Sequence, residues 1–172
     1  MRGRAQRRQR PERVGLAPRP RDRGDDEDRG YVHTLVCPAC HAILRGNDWF
    51  VDEAQYRQVN GAPGVWPALC PGCLRVARGI YEGEVILRSR LLVPSKLAAL
   101  DLISHEEERA RSVNPVSRLT AVEDHGDEIK VLTTTPLLAE RIGKAFRRIY
   151  DGDLDVQYLP WNQFCRVRWH RD

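Results

Sequence analysis

The sequence has no apolar run near the roughly 20 residues that a bilayer-spanning helix needs, so no membrane partner is expected. Its basic start, "MRGRAQRRQRPERVGLAPRPRDRG", has no apolar segment behind the charges and lacks the shape of a secretory signal. Serine and an amphipathic apolar face are missing from the same stretch, which argues against an organelle transit peptide. The expected compartment is the cytoplasm, where thiols stay reduced and structural disulfides are rare. Catalytic signatures are missing as well. There is no Gly-rich phosphate loop followed by Lys-Ser/Thr, no nucleophile elbow, no dinucleotide fingerprint and no HExxH. No enzyme activity and no small-molecule substrate are expected.

Two partial matches do not change this. "HEE" at His105 to Glu107 matches half of the zinc-deaminase signature, but that signature needs a PCxxC downstream. "DGDLD" is shorter than the twelve-residue calcium loop and lacks its terminal Glu.

Cysteine is scarce, at five in 172 residues, yet four of the five fall in two near-identical knuckles. These are "CPAC", Cys37 to Cys40, and "CPGC", Cys70 to Cys73. Four thiolates from two such turns can surround one Zn²⁺ tetrahedrally. Each Pro fixes φ, and Gly72 eases the second turn. The alternatives are reduced structural thiols or a redox pair, although a thioredoxin-like CxxC belongs in a βαβ context. Four cysteines close the coordination sphere, so the expected zinc is single and structural, with ligands Cys37, Cys40, Cys70 and Cys73. His41 follows Cys40 but is not needed to complete the set. The stretch "DWFVDEAQYRQVNGAPGVW" between the knuckles is read as a hairpin turning at "NGAPG".

Charge is distributed unevenly. Residues 1–21 carry +7, residues 22–28 carry −4, and everything from Arg29 onward carries +1, giving the net +4. Residues 1–30, punctuated by Pro and Gly, are expected to be a disordered Arg-rich and acidic tail. Arg2, Arg4, Arg7, Arg8 and Arg10 can contact polyanions such as RNA, or the tail is simply solvated.

The remainder divides into a zinc ribbon (31–78), a strand and connecting helix (79–115) and a ββαββ domain (116–172). "GEVILRSRLLV" reads as a strand. "PSKLAALDLISHEEERARSV" reads as a helix with Leu97, Leu100 and Ile103 on its apolar stripe, a break allowed near Ser104, and "HEEERAR" exposed. "SRLTAVED" and "EIKVLTTT" form a hairpin through "HGD". "PLLAERIGKAFRRIY" is a helix capped at Thr135, with Leu138, Ile142, Ala145, Phe146 and Ile149 inward. "LDVQYL" and "FCRVRW" form a second hairpin, with Cys165, Val167 and Trp169 on one face. The expected fold class is α+β: a four-cysteine ribbon followed by one small antiparallel sheet with helices on one face. Arg141, Lys144, Arg147 and Arg148 on the helix, and Arg166 and Arg168 on the last strand, are candidate RNA contacts, with Trp161 and Phe164 as stacking partners. The bland reading of these positions is a solvated surface.

The two knuckles, the stretch "NPVSRLTAVEDHGDEIKVLTTTPLLAERIGKAFRRIYDGDLDVQY" and the closing "CRVRW" resemble a group of small bacterial zinc-ribbon proteins. Some of these are encoded in low-oxygen-activated gene clusters. More distantly, the layout is similar to the zinc-binding part of the archaeal and eukaryotic large-ribosomal-subunit export adaptor, which carries more CxxC pairs than the two found here. The bacterial resemblance covers residues 31–172. It implies a fold and a context more than an activity. Taken with the basic surfaces, the expectation is a zinc-stabilised, ribosome-associated RNA-binding protein acting under stress such as low oxygen, with the ribosome or ribosomal RNA as partner. The alternatives are a zinc-ribbon adaptor or transcription-related regulator that docks on a protein, and a redox-sensing thiol switch.

Overall fold

The computed structural model describes residues 34–160 and 163–172. The expected tail, with Arg2, Arg4, Arg7, Arg8 and Arg10, lies outside the described residues, as does Trp161. No described helix is long and apolar enough to cross a membrane.

The first sheet is built around the knuckles. β1 (Thr34–Val36) and β2 (Ala42–Arg45) pair antiparallel across the first knuckle, and β3 (Asp48–Val51) continues antiparallel to β2. The chain then forms α1 (Glu53–Val59), where a hairpin strand was expected. The Asp52 carboxylate accepts from the Gln55 amide at 2.9 Å and caps it. A capped run of helix formers outweighs the apolar alternation visible in the same residues. β4 (Val65–Pro67) runs parallel to β1 rather than folding back on β3, so the strand order is β3-β2-β1-β4. α2 (Pro71–Ala77) opens directly on Cys70.

The second sheet begins with β5 (Gly83–Arg88), followed by a 3-10 turn at Arg90–Leu92 and α3 (Lys96–Val113). The hairpin of β6 (Leu119–Asp124) and β7 (Glu128–Thr133) comes next, then α4 (Pro136–Tyr150). β8 (Asp153–Tyr158) and β9 (Cys165–His170) form the last hairpin. The order is β6-β7-β5-β9-β8, and β5 pairs parallel with β9. An antiparallel sheet made of two hairpins is therefore corrected to a mixed five-stranded sheet. The strand expected to belong to a connecting segment is its centre. The reason is visible in β5 itself, where Val85 and Leu87 are fully buried. A strand with such a face is most stable with both edges paired, and it joins two hairpins that otherwise share no edge.

α3 and α4 cover one face of this sheet. Leu138, Ile142, Ala145 and Phe146 pack inward as the period requires, while Ile149 is 55% exposed. From the strands come Val131, Cys165, Val167 and Trp169. Trp169 meets Phe146 edge to face at 5.4 Å, and its Nε1 donates to the Asp151 carbonyl at 2.7 Å. Each large side chain in this core stabilises the fold by about 1.5–3 kcal/mol. α4 ends where Asp151 and Gly152 take φ of 58° and 96°. Thr135 is its N-cap, but the hydroxyl makes no capping bond and pairs instead with Ser117 Oγ at 3.2 Å.

α3 is continuous through Ser104. Its buried stripe is Ala99, Ile103, Glu106 and Ala110, and Leu97 is exposed. Glu106, expected on the surface, is one of the most buried charged groups among the described residues, at 4% exposure.

Candidate metal centre

The fold brings Cys37, Cys40, Cys70 and Cys73 together, all buried, with their four sulfurs within 4.8 Å of one another. The first knuckle is closed by the Cys37 amide donating to the Ala42 carbonyl at 2.7 Å and the His41 amide donating to the Cys37 carbonyl at 2.9 Å. The turn forces His41 into the left-handed region, at φ 63°. Its ring stacks on Tyr56 at 4.0 Å, and Nδ1 sits 2.9 Å from Glu53 Oε2. That contact holds the Glu53 carboxyl below its usual range. His41 thus ties the knuckle to α1 and is not part of the four-residue cluster that could hold a metal ion.

In the second knuckle, Cys70 is the N-cap of α2, and its sulfur accepts from the Cys73 amide at 3.4 Å. Gly72 does not ease a turn here. A Cβ at Gly72 would lie 2.3 Å from the Pro115 carbonyl oxygen and 3.0 Å from Val116 Cα. The glycine is required because α2 presses against the loop that follows α3.

The donor set fits a tetrahedral thiophilic cation. Four sulfurs at about 2.3 Å from one Zn²⁺ would stand about 3.8 Å apart, and Cys40 Sγ lies 3.5 Å from Cys70 Sγ. The protonation pattern points the same way. The hydrogen bond from Cys70 draws the Cys40 thiol well below its usual range, against the opposing effect of burial. The same contact, together with burial, pushes Cys70 up. Burial first, and then the contact with Cys40, raises Cys73 to about 12. Of these three thiols, Cys40 is the one most easily ionised. A divalent cation would stabilise the other thiolates and release their protons.

Around the sulfurs lies a polar network that motif reading missed. Arg118 directs Nη1 at Cys73 Sγ, 3.8 Å away, and Nε at Glu107 Oε1, 3.0 Å away. The same Glu107 oxygen accepts from the Leu119 amide at 3.0 Å. Thr134 Oγ1 accepts from the Arg118 amide at 2.8 Å and donates to the Val116 carbonyl. Arg75, from α2, donates to the Thr134 carbonyl at 2.8 Å and pairs with Glu82 at 2.9 Å. The threonine run "TTT" is therefore the seam between ribbon and sheet. Thr133 and Thr134 are fully buried. The signal available in the sequence was the run itself, since three hydroxyls at a strand end need several nearby partners.

The candidate RNA contacts separate into two groups. Arg141, Lys144 and Arg148 project from α4 toward α3, and Arg147 is exposed on the same helix. Arg166 and Arg168 lie on the opposite face of the sheet, which is laddered with cross-strand ion pairs. Arg166 pairs with Glu84 at 2.9 Å and Arg168 with Asp155 at 3.9 Å. Arg88–Glu128 and Lys130–Glu123 extend the ladder. Phe164 packs edge-on against Tyr81 at 6.0 Å. The fold does not bring the strand arginines to the helix group.

No family model, no curated protein and no solved structure matches this chain.

Proposed function

We propose that this is a non-enzymatic, cytoplasmic, zinc-stabilised RNA-binding protein that associates with the ribosome and acts under stress such as low oxygen. The zinc assignment rests on four buried thiols in a closed set, which suits a soft tetrahedral cation and leaves no position for a substrate. One observation carries the RNA reading. α4 presents Arg141, Lys144, Arg147 and Arg148 at its surface, on a helix whose other face packs into the core of the second sheet. Fixed cations lose less freedom on meeting phosphates than a flexible arm does. The test is sedimentation with ribosomes from native lysate, with and without nuclease. Salt-sensitive co-sedimentation that nuclease abolishes supports the reading, and its absence at low salt overturns it.

A second reading, a protein adaptor, is favoured by Trp66 and Leu69. They stand 59% and 42% exposed on the chain leading into Cys70. An interface built on them would survive nuclease and respond weakly to salt.

A further inference from the structure

α3 and α4 meet over a groove of about 200 Å³ lined by Glu106, Arg109, Arg141, Lys144, Ala145 and Arg148. Its floor is the buried Glu106 carboxylate. Glu106 Oε1 faces Arg109 Nη1 at 3.6 Å and Arg148 Nη2 at 3.7 Å, and Oε2 faces Arg141 Nη2 at 3.4 Å. Three guanidiniums bring roughly fifteen N–H donors to a carboxylate that offers about four acceptor positions. The separations are long, and only the Arg141 contact is a hydrogen bond. Arg141 Nε is buried without a partner among the described residues. Lys144 at the rim is held by Glu140. Four cations against Glu106 and Glu140 leave the groove with two positive charges in excess.

A buried carboxylate among three arginines does two things. It makes their mutual approach tolerable, and it sets the direction of each fork, because every guanidinium is drawn toward one point. Arg109 and Arg148 line the groove with side chains more than half exposed, so the donors they do not spend on Glu106 stay open to a ligand. The complementary ligand is a tetrahedral oxyanion with two free oxygens, which arginine forks grip bidentately. We propose that this groove is a phosphate cradle: backbone phosphates of an RNA strand dock on Arg109, Arg141 and Arg148, with Glu106 as the strut beneath them. The assignment rests on the RNA-binding reading above and locates its contacts on the helices. It leaves Arg166 and Arg168 out, since each faces a carboxylate of its own, Glu84 and Asp155, whereas the groove sets four cations against two carboxylates.

The experiment measures binding of a short single-stranded oligo-uridylate to the full-length chain over a salt series. The variants are Arg109→Gln with Arg148→Gln, Lys144→Gln, and Arg166→Gln with Arg168→Gln, each checked by thermal melting. The N-terminal arginines contribute equally to every variant, so slope differences report the groove. The Arg109/Arg148 pair should weaken binding about tenfold at low salt and shallow the log–log salt slope by about 0.7 for each phosphate no longer neutralised. The Arg166/Arg168 pair should leave the slope unchanged. If the Arg109/Arg148 variant melts early, Lys144→Gln, which removes one of the two excess charges at the groove rim without touching Glu106, should still shallow the slope. RNA binding by the parent chain with the same slope in all three variants overturns the cradle and leaves the RNA reading standing. No binding by the parent chain at low salt overturns both.

Discussion

Arg118 Nη1 lies 3.8 Å from Cys73 Sγ, so a side chain at the entry to the second sheet touches a sulfur of the four-cysteine cluster. A guanidinium in this position stabilises the thiolate form of Cys73 and orients its sulfur, the role outer-shell donors play at metal sites. Arg118→Met keeps the length and removes the charge. Metal affinity, read by competition with a chromogenic chelator, should fall about 10- to 100-fold. An unchanged affinity would show that the contact is incidental.

Metal removal should act unevenly along the chain. The ribbon's own core is small: the four cysteines, Ala42, the half-buried Trp49 and Val51, and Val36 and Ile43 of β1 and β2. A segment of that kind depends on its cation for folding. The second sheet has its own core from Val85 to Trp169. Chelation should therefore abolish amide-exchange protection in β1, β2 and α2 while β5, β7 and β9 stay protected. Uniform loss across both sheets would mean that the seam at Thr134 makes the two cooperative.

Gly72→Ala tests the packing of α2. The added methyl group meets the Pro115 carbonyl at 2.3 Å, and backbone cannot swing aside as a side chain can. The expected cost is about 1–3 kcal/mol of stability, read as a lowered denaturation midpoint with the metal still bound. A neutral result would show that α2 does not sit this close to the loop.

The pH dependence of stability should include a contribution from Glu140. Its carboxyl is held below the usual range by Lys144 first and then by the Tyr158 hydroxyl. A folded-state pKa below the unfolded one means that this stabilisation is complete above the unfolded carboxyl value, about 4.3. It is lost as pH falls through the lower folded value. Chemical denaturation midpoints across an acid series should drop less steeply for Glu140→Gln than for the parent chain. Parallel curves would remove Glu140 from the account.

Much of the fold could be read from periodicity. The β6–β7 hairpin, α4 and the β8–β9 hairpin are local patterns, with turns at Gly126 and Gly152 that need positive φ. Glu106 shows where such reading stopped short. It falls on the helical stripe of Ala99, Ile103 and Ala110, but its charge argued for solvent. Its burial depends on Arg109, Arg141 and Arg148, two of which arrive from another helix.

What the sequence determined alone was whatever is encoded within a few residues: the two knuckles, the amphipathic period of α4 and the alternation of β9. The spacing of Cys37 with Cys40, and of Cys70 with Cys73, already makes two ligand pairs, because each is held by one turn. Only the tertiary structure decided that β5 sits between β7 and β9, that Arg118 and Thr134 join ribbon to sheet, and that the helix arginines converge while the strand arginines are neutralised. The physical reason is sequence separation. Strand pairing and ion pairing choose partners by position in space, and Arg166 finds Glu84 across 82 residues through sheet register alone.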